Sequence, residues 1–545
     1  MKEQRTSYRA GLGNYASKVE AALGDIQNRD LVKRIWAKDH TVWRPDPTEI
    51  TNRLGWLTVT DTMREQVADL EAFAQEIGDT GFQHVVLLGM GGSSLGPEVL
   101  RQTIGPIPGY PHLIVLDSTL PSWIQPVTDS IDPKRTLFLV SSKSGATLET
   151  LSFYRYFRGL VEERAGPSEA GQNFVAITDP GTSLEKLAQE QGFRDAFLNP
   201  EDIGGRYSVL SFFGLVPATL TGVDIGKLMD RADSMRKECD TKVPVRENPG
   251  VWLGVVMGAL ALEGRDKLTL VTSPAIESFG LWVEQLLAES IGKEGKGIIP
   301  IAGEPLVAPG HYGEDRLFVF LRLEGDDNAA VDRAMDTIAS SEHPWVRLDM
   351  GDRYDLGAEF YRWEFATSVA GAILDVHPFD QPNVQQAKDM TDMVLKERRI
   401  IGSLPQVEAG SSLPELLTGA RQGNYVAIMA YLRQTPETDQ ALAQLRRRII
   451  EHYHIPVTLG YGPRFLHSTG QMHKGGPDTG LFLQITTTHS HDLDIPGENF
   501  SFGVLAQAQA LGDLKTLQAI KRRVVRIHLD SAGQGSLDEL ARTPI

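Results

Sequence analysis

Four short apolar runs separated by helical sequence constrain the fold of this chain more than any other feature. The runs are His84 to Met90, His112 to Asp117, Thr136 to Ser141 and Asn173 to Asp179. Continuous apolar runs of this length are typical of parallel strands that are covered by helices on both faces. Ligands of such sheets bind beyond the carboxyl ends of the strands. The residues that follow these runs are therefore the first candidates for a functional site.

The alternation of strands and helices continues along the 545 residues, so we predict an α/β protein built from doubly wound parallel-sheet domains. A chain of this length exceeds one ordinary hydrophobic core. We divide it into a helical N-terminal segment (1–78), a first α/β domain (79–245), a second α/β domain (246–402) and a third α/β segment (403–545). The order of strands and helices in the third segment echoes that of the second domain, which predicts an internal structural repeat.

Charge and composition exclude several classes of function. The net charge of −17 disfavours a nucleic-acid partner, because that kind of binding needs clustered Lys and Arg. Cys239 is the only cysteine, which excludes an internal disulfide and favours a reducing compartment. Residues Met1 to Arg9 lack the apolar core of a signal peptide, and the longest apolar run, Val251 to Leu262, is too short to span a bilayer. We therefore expect a cytoplasmic protein without a membrane partner.

A Ser-rich loop, Ser141-Ser142-Lys143-Ser144-Gly145-Ala146-Thr147, follows the third apolar run and precedes helical sequence at Leu148. Hydroxyl and backbone N–H groups donate hydrogen bonds to a phosphate, and the N-terminus of a helix adds partial positive charge. Gly145 lets the backbone approach a ligand closely. The alternative is a structural loop with a helix cap, but a second Gly/Ser-rich loop favours a phosphate site.

This second loop, Gly89-Met90-Gly91-Gly92-Ser93-Ser94-Leu95-Gly96-Pro97, follows the first apolar run. Its glycine spacing does not fit a dinucleotide turn, and no Gly-Lys-Ser/Thr follows as in a P-loop. It fits a backbone cradle for a small sugar phosphate better.

Two charged residues are further candidates. Arg206 beside a Gly-Gly turn could reach an anion or form a surface ion pair, and Glu289 at a predicted helix end could be a base or an exposed glutamate.

Together these motifs resemble the glucose-6-phosphate isomerase family, whose halves are sugar-isomerase (SIS) α/β domains. The matching segments are GMGGSSLGP at 89–97, SSKSGATLET at 141–150, GGRYSVLSFFGLVP at 204–217, AESIGKEGKG at 288–297 and FDQPNVQQAK at 379–388. They occur in the order of the family. The chain is most similar to the isomerase half of fused transaldolase/glucose-6-phosphate isomerase proteins, although we identify no transaldolase half in it.

The resemblance implies a role for each matching residue. Glu289 would move the proton between C1 and C2 of the sugar, Arg206 would stabilise the enediolate, and Lys388 would act near the ring oxygen. The residues implied to bind the sugar phosphate are Gly92, Ser93, Ser142, Lys143, Ser144, Thr147 and Gln381. Ala146 stands where the family usually has a hydroxyl, so one phosphate contact is expected to be missing.

The ring-opening histidine is the point at which the chain departs from the family. The family places it shortly after the glutamate, often in a Leu-His-Ser-Met-Gly-Gln segment, and takes it from the partner subunit of a dimer. That interval here offers only His311, whereas Leu466-His467-Ser468-Thr469-Gly470-Gln471 is a better local match. We predict that the third segment supplies His467 within the same chain, with His311 as the alternative. Dimerisation would then not be needed to complete the site.

The resemblance implies a metal-independent aldose–ketose isomerase that interconverts glucose 6-phosphate and fructose 6-phosphate through a cis-enediol(ate), in glycolysis and gluconeogenesis. A carboxylate, a His/Lys pair and an arginine suit proton transfer, ring opening and stabilisation of the enediolate. No cofactor is expected. The alternatives are a dual phosphoglucose/phosphomannose isomerase and a non-catalytic SIS-type sugar-phosphate-binding protein. Monomer and homodimer both stay open, as does association with a separate transaldolase.

Two histidine pairs, His489-Ser490-His491 and His452-Tyr453-His454, could suggest a metal site. A third and a fourth ligand are not evident beside either pair. We therefore interpret both as polar loops and predict no metal.

Overall fold

The computed structural model describes residues 8–408, 410, 412–489, 491–529 and 534–543. Within these residues the chain forms three β-sheets that are covered by helices, which confirms the predicted α/β class. None of the helices described is both long and apolar enough to cross a membrane.

The N-terminal segment begins with a strand, so the prediction of helices is wrong at its start. Strand β1 (Tyr8–Gly11) pairs antiparallel with residues 345–348, and the ring of Tyr8 stacks on Trp252 with 4.0 Å between the ring centroids. The helices that follow are α1 (Ala16–Asn28), α2 (Leu31–Trp36), α3 (Val59–Arg64) and α4 (Val67–Asp79). The segment thus packs against the second domain, and β1 extends its sheet.

The first sheet is parallel and contains the four predicted strands and one more. Its elements are β2 (His84–Gly89), α5 (Leu95–Ile104), β3 (His112–Leu116), α6 (Pro121–Ser130), β4 (Thr136–Ser141), α7 (Leu148–Ala165), β5 (Phe174–Thr178), α8 (Ser183–Glu190), β6 (Asp195–Leu198), α9 (Phe212–Leu220) and α10 (Ile225–Glu238). The strand order is β3-β2-β4-β5-β6. Strand β6 is a partly exposed edge strand, so it lacks the continuous apolar run by which the others are predicted.

The second sheet has the order β1-β10-β9-β7-β8 and is parallel apart from β1. Its elements are α11 (Pro249–Leu262), β7 (Lys267–Thr272), α12 (Phe279–Ile291), β8 (Ile299–Ile301), β9 (Arg316–Leu323), α13 (Ala329–Ala339), β10 (Trp345–Met350), α14 (Leu356–Leu374) and α15 (Pro382–Ile401). Helices α11 and α14 pack closely at Gly254, which has no side chain. A side chain there would come within 2.4 Å of the Ala366 carbonyl oxygen.

The third sheet is parallel, with the order β12-β11-β13-β14. Its elements are α16 (Leu413–Leu417), β11 (Tyr425–Tyr431), α17 (Pro436–Tyr453), β12 (Val457–Tyr461), α18 (Gly470–Gly475), β13 (Gly480–Thr487), α19 (Phe502–Ala519), β14 (Arg523–Leu529) and α20 (Gln534–Arg542).

The three sheets share one strand order. Counted along the chain within each sheet, and leaving β1 aside, the first strand lies between the second and the third, and the fourth lies beyond the third. The third segment therefore has the topology that a repeat of the second domain requires. The boundaries of the domains stay predictions.

Candidate active site

A cavity of about 640 Å³ lies between the first domain, the second domain and the third segment. All but one of the predicted site residues line it: Gly92, Ser93, Lys143, Ser144, Thr147, Arg206, Glu289, Gln381, Lys388 and His467. The exception is Ser142, whose hydroxyl shares a 2.8 Å hydrogen bond with the hydroxyl of Thr147. The volume lies within the range of small-molecule sites.

The Ser-rich loop turns from the end of β4 into the first turn of α7. Gly145 has φ +67°, and a side chain there would come within 2.7 Å of Thr182 and 2.9 Å of the Leu184 nitrogen. Glycine is therefore required at this turn. Thr147 precedes the helix, but its hydroxyl does not cap it. The N–H groups of the first turn thus remain available to an anion in the cavity.

Lys143 is already paired. Its ammonium forms an ion pair with the Asp179 carboxylate and donates to the carbonyl oxygen of Glu201 at 3.3 Å. Burial raises the pKa of Asp179, and the hydrogen bond and charge of Lys143 oppose that rise. A phosphate at this loop would therefore depend mainly on hydroxyl groups and on the N-terminus of α7.

The Gly-rich loop after β2 packs against two other segments that line the cavity. Gly91 has φ +56°, and a side chain there would lie 2.7 Å from the His467 carbonyl oxygen. A side chain at Gly92 would lie 2.1 Å from the Gly205 carbonyl oxygen. The two glycines therefore let the loop pack against the turn that carries Arg206 and against the segment that carries His467.

Glu289 and Arg206 are buried and paired, so the interpretations as an exposed glutamate and a surface ion pair are both wrong. Each residue is only 4% exposed, and Arg206 Nη1 lies 3.2 Å from Glu289 Oε2. Arg206 Nε also donates to the Ser290 hydroxyl at 2.9 Å, and Nη2 donates to the Asp380 carbonyl oxygen at 2.7 Å. The guanidinium is thus held in place from two sides beside the carboxylate.

Burial raises the pKa of Glu289, and the charges of Arg206, His467 and Lys293 offset that rise only in part. Gln285, one turn earlier on α12, bridges the glutamate to the third segment. Its amide donates to Glu289 Oε2 at 3.4 Å and to the His467 carbonyl oxygen at 3.0 Å. A buried carboxylate whose pKa is raised towards neutrality suits a general base.

His467 enters the cavity from the turn that follows β12. Its Nε2 lies 2.8 Å from Glu149 Oε1, which also accepts a 2.6 Å hydrogen bond from the amide of Gln509. Burial alone would raise the pKa of Glu149, but the charge and hydrogen bond of His467, together with the charge of Lys388, hold it below its ordinary value. An ionised carboxylate therefore orients the imidazole.

His311, the alternative histidine, lies elsewhere. Its Nδ1 contacts the carbonyl oxygen of Glu451 at 3.1 Å, and its ring stacks on His454 with 5.4 Å between centroids. It is not among the residues that line the cavity. The geometry therefore favours His467.

The segment around His467 is tied to both domains. Arg464 forms two hydrogen bonds of 2.8 Å with the buried carboxylate of Asp117 in the first domain. Gln471 donates to Asn383 Oδ1 at 2.8 Å and accepts from the backbone nitrogen of Asn383 at 2.9 Å in the second domain. These contacts fix the position of the histidine relative to the other two walls.

Gln381 and Lys388 form the outer rim of the cavity. Gln381 immediately precedes α15, Lys388 lies on that helix, and both side chains are exposed. Gln381 Oε1 accepts a 3.4 Å hydrogen bond from Arg206 Nη1. Both residues therefore lie where a sugar bound in the cavity would contact them.

The sequence analysis missed three polar residues of the site. Glu149 lies within the SSKSGATLET segment, so its position in the first turn of a helix was a usable signal. Gln285 lies one helical turn before Glu289, which could also have indicated it. Gln509 had no such signal, because it lies on a helix that is mostly buried and far along the chain.

Comparison with known proteins shows what the chain is similar to. Residues 44–298 match the family described as phosphoglucose isomerase. A glucose-6-phosphate isomerase of Staphylococcus saprophyticus is 29% identical over 406 residues, covering 66% of this chain and 90% of that protein. One from Rubrobacter xylanophilus is 29% identical over 423 residues, covering 68% of this chain and 94% of that protein.

Two solved structures have a similar fold. A glucose-6-phosphate isomerase from Chlamydia trachomatis has a TM-score of 0.63 at 18% identity, covering 74% of this chain and 90% of that one. A hypothetical protein from Thermus thermophilus has a TM-score of 0.60 at 22% identity, covering 72% of this chain and 100% of that one. The structural likeness shows the shared fold, and the match over residues 44–298 shows that this part of the chain is similar to the phosphoglucose isomerase family.

Proposed function

We propose that this protein is a glucose-6-phosphate isomerase that interconverts glucose 6-phosphate and fructose 6-phosphate without a metal, in the cytoplasm. One observation carries the proposal: Glu289, Arg206 and His467 line the same cavity as a hydroxyl-rich loop at the N-terminus of α7. The first three supply a base, a positive charge and a second proton-transfer group. The loop supplies donors for a phosphate.

The phosphate of the sugar would bind at the Ser144 and Thr147 hydroxyls and at the first turn of α7. This contact lies away from the reacting carbons. Its binding energy therefore serves to orient C1 and C2 towards the catalytic groups.

Ring opening would use His467 and Lys388. In the aldose, His467 accepts the proton of the C1 hydroxyl while Lys388 donates a proton to the ring oxygen, and the bond between C1 and the ring oxygen breaks. Glu149 stabilises the resulting imidazolium through the hydrogen bond to Nε2. The product is the open-chain aldehyde.

Isomerisation would then use Glu289 as the base. Its carboxylate removes the proton from C2, and the electron pair moves through C1 to O1 to give an enediolate. Arg206 stabilises this negative charge. Glu289 returns the proton to C1, O1 gains a proton and O2 loses one, so the open-chain ketose forms with no net change in protons.

The direct test is conversion of fructose 6-phosphate to glucose 6-phosphate by the wild type and by E289Q, each with and without EDTA. We expect activity that survives EDTA and falls by at least ~10²-fold in E289Q, because a general base contributes that much. Variant E277Q is the control, since Glu277 is an exposed glutamate just before the same helix. Sugar-phosphate binding without turnover in the wild type would instead favour a non-catalytic binding protein.

We infer further that one chain completes its own site, because the third segment supplies His467. The H467A variant should lose most ring-opening activity, whereas H311A should stay near the wild type. Near-normal turnover of H467A combined with inactivity of H311A would reverse the assignment.

A further inference from the structure

A second cavity, of about 210 Å³, lies at the carboxyl ends of β11, β13 and β14 in the third sheet. Helix α19 covers it. The residues that line it are Leu120, Tyr431, Thr486, Thr487, Thr488, His489, Ala506, Gln507, Ala510, Arg526 and His528. None of them lines the isomerase cavity, so the mechanism leaves this cavity unused.

The position of the cavity repeats that of the phosphate loop. Strand β13 is the third strand of its sheet in chain order, as β4 is of the first sheet. The Ser-rich loop follows β4, and Thr486-Thr487-Thr488-His489 lies at the end of β13. The corresponding position after β9 is acidic, with Glu324-Gly325-Asp326-Asp327. Hydroxyl groups thus occupy this position in the first and third sheets only.

The register of the sheet places two basic side chains beside these hydroxyls. Thr486 pairs with His528 and Gln484 with Arg526, and alternate residues of a strand face the same side. His528 contacts two hydroxyls, with Nδ1 3.0 Å from Thr486 Oγ1 and Nε2 3.0 Å from Thr488 Oγ1. The imidazole therefore fixes both threonines at the cavity.

Arg526 is the strongest sign of an anionic ligand. It is partly buried, and within the described residues its side chain makes one weak hydrogen bond, from Nε to Thr486 Oγ1 at 3.5 Å. Over the same ranges no Asp or Glu forms an ion pair with it. A guanidinium has five N–H donors in a fork that matches phosphate oxygens. Burying such a group without a counter-ion is costly, and a bound anion would remove that cost.

Tyr431 and α19 complete the cavity. Tyr431 is 3% exposed, and its hydroxyl has no hydrogen-bond partner in the part of the chain that the structure describes. On the facing helix, Ala506 and Ala510 leave space that larger side chains would fill. The volume is below the ~300 Å³ at which sites for drug-sized ligands begin, so the ligand must be small.

We propose that this cavity binds a phosphate group, either free or on a small phosphorylated metabolite, at a site separate from the isomerase cavity. Arg526 is its principal ligand. The hydroxyls of Thr486 and Thr488 lie beside it, held in place by His528, and the one that accepts from the imidazole is free to donate to the phosphate.

The test is equilibrium dialysis of the full chain against radiolabelled inorganic phosphate. We expect R526Q to lose one bound phosphate per chain that the wild type and R523Q retain. R523Q is the matched control, because Arg523 lies on the same strand, is exposed and does not line the cavity. T488V should weaken the same phosphate, which provides a second variant if R526Q folds poorly. Full retention of phosphate by R526Q and T488V would overturn the proposal.

A variant of the isomerase cavity separates this proposal from the proposed function. S144A/T147A should lose the phosphate bound at α7 and keep the one that R526Q loses. If R526Q removes the only phosphate bound, the second site stands and the phosphate role of the Ser-rich loop fails. If S144A/T147A removes the only phosphate bound, the second site is overturned.

Discussion

Glu289 and Arg206 each need the other to stabilise a buried charge, because each residue is only 4% exposed. Burial without a partner would raise the pKa of the carboxyl further, and an unpaired buried guanidinium would be costly. The 3.2 Å contact between them allows the carboxyl to ionise while its pKa stays raised. This combination suits a base that must both take up and release a proton.

The dependence of kcat/KM on pH should reflect the raised pKa of Glu289. The ionised form of Glu289 is the active base and its pKa is raised, so kcat/KM should fall with decreasing pH at a value above the ordinary 4.5. R206Q removes the largest opposing charge and should move this limb to still higher pH, as well as lowering the rate by ~10²-fold. The measurement is kcat/KM for fructose 6-phosphate against pH. An acid limb at the ordinary value, or a shift to lower pH in R206Q, would contradict this interpretation.

Most site residues could be predicted because they lie in short contiguous motifs, in which local sequence determines the loop. Pairings between distant segments could not be predicted. Glu149 and His467 are 318 residues apart in sequence, and nothing local indicates that they meet. The ion pair of Lys143 with Asp179 was missed for the same reason, and it changes the predicted role of Lys143 at the phosphate.

At the scale of elements, the contact between the Gly91 loop and the His467 turn joins two parts of the cavity. Gly91 adopts a left-handed conformation, and its Cα faces the His467 backbone at a distance that leaves no room for a methyl group. The fit of this loop therefore controls where the histidine lies.

The G91A variant should lower kcat by displacing His467, because the added methyl would lie 2.7 Å from its carbonyl oxygen. G105A is the matched control: Gly105 is also left-handed, at φ +79°, but has no atom within 4 Å of the added methyl. At φ +79° and ψ −179°, a conformation that is essentially confined to glycine, this variant should lose ~1–3 kcal/mol of stability and leave kcat unchanged. Both are compared by steady-state kinetics and by unfolding in urea. Equal kcat in the two variants would show that the contact does not matter for catalysis.

Strands with continuous apolar runs were predicted almost to the residue, as for β2 and β4. Short strands were not. Strand β1 has the sequence Tyr-Arg-Ala-Gly, and β8 has only three residues, so both depend on pairing with distant strands rather than on their own pattern. Such strands cannot be identified from local sequence.

At the scale of the whole molecule, the third segment brings to the cavity the histidine that the resemblance assigns to a partner subunit. It has the strand order of the second domain, it lies against the other two walls, and it contributes His467. The common topology explains how a duplicated unit could present a histidine to this cavity. With the third segment in this position, a single chain can complete its own site.

The buried pair between Arg464 and Asp117 joins the third segment to the first domain. R464M would leave Asp117, which is fully buried, without its partner and should cost ~3–5 kcal/mol of stability. It should also lower turnover, because Arg464 lies three residues before His467. Chemical unfolding measures the first effect and the isomerase assay the second.

The D25N variant is the control for R464M, since Asp25 forms an exposed pair with Arg29. Its effect should stay within ~0–1 kcal/mol. A loss of stability in R464M no larger than in D25N would show that the buried pair does not hold the third segment in place.

The most direct test of a site completed by one chain is to mix the E289Q and H467A variants and measure conversion of fructose 6-phosphate. The wild type should be active, and the mixture should show only the sum of the two residual activities, because each chain lacks one group of its own site. If the histidine came from a partner subunit, half of the dimers would be hybrids with one intact site. The mixture would then recover up to about a quarter of the wild-type activity. That recovery, or an inactive wild type, would contradict the account.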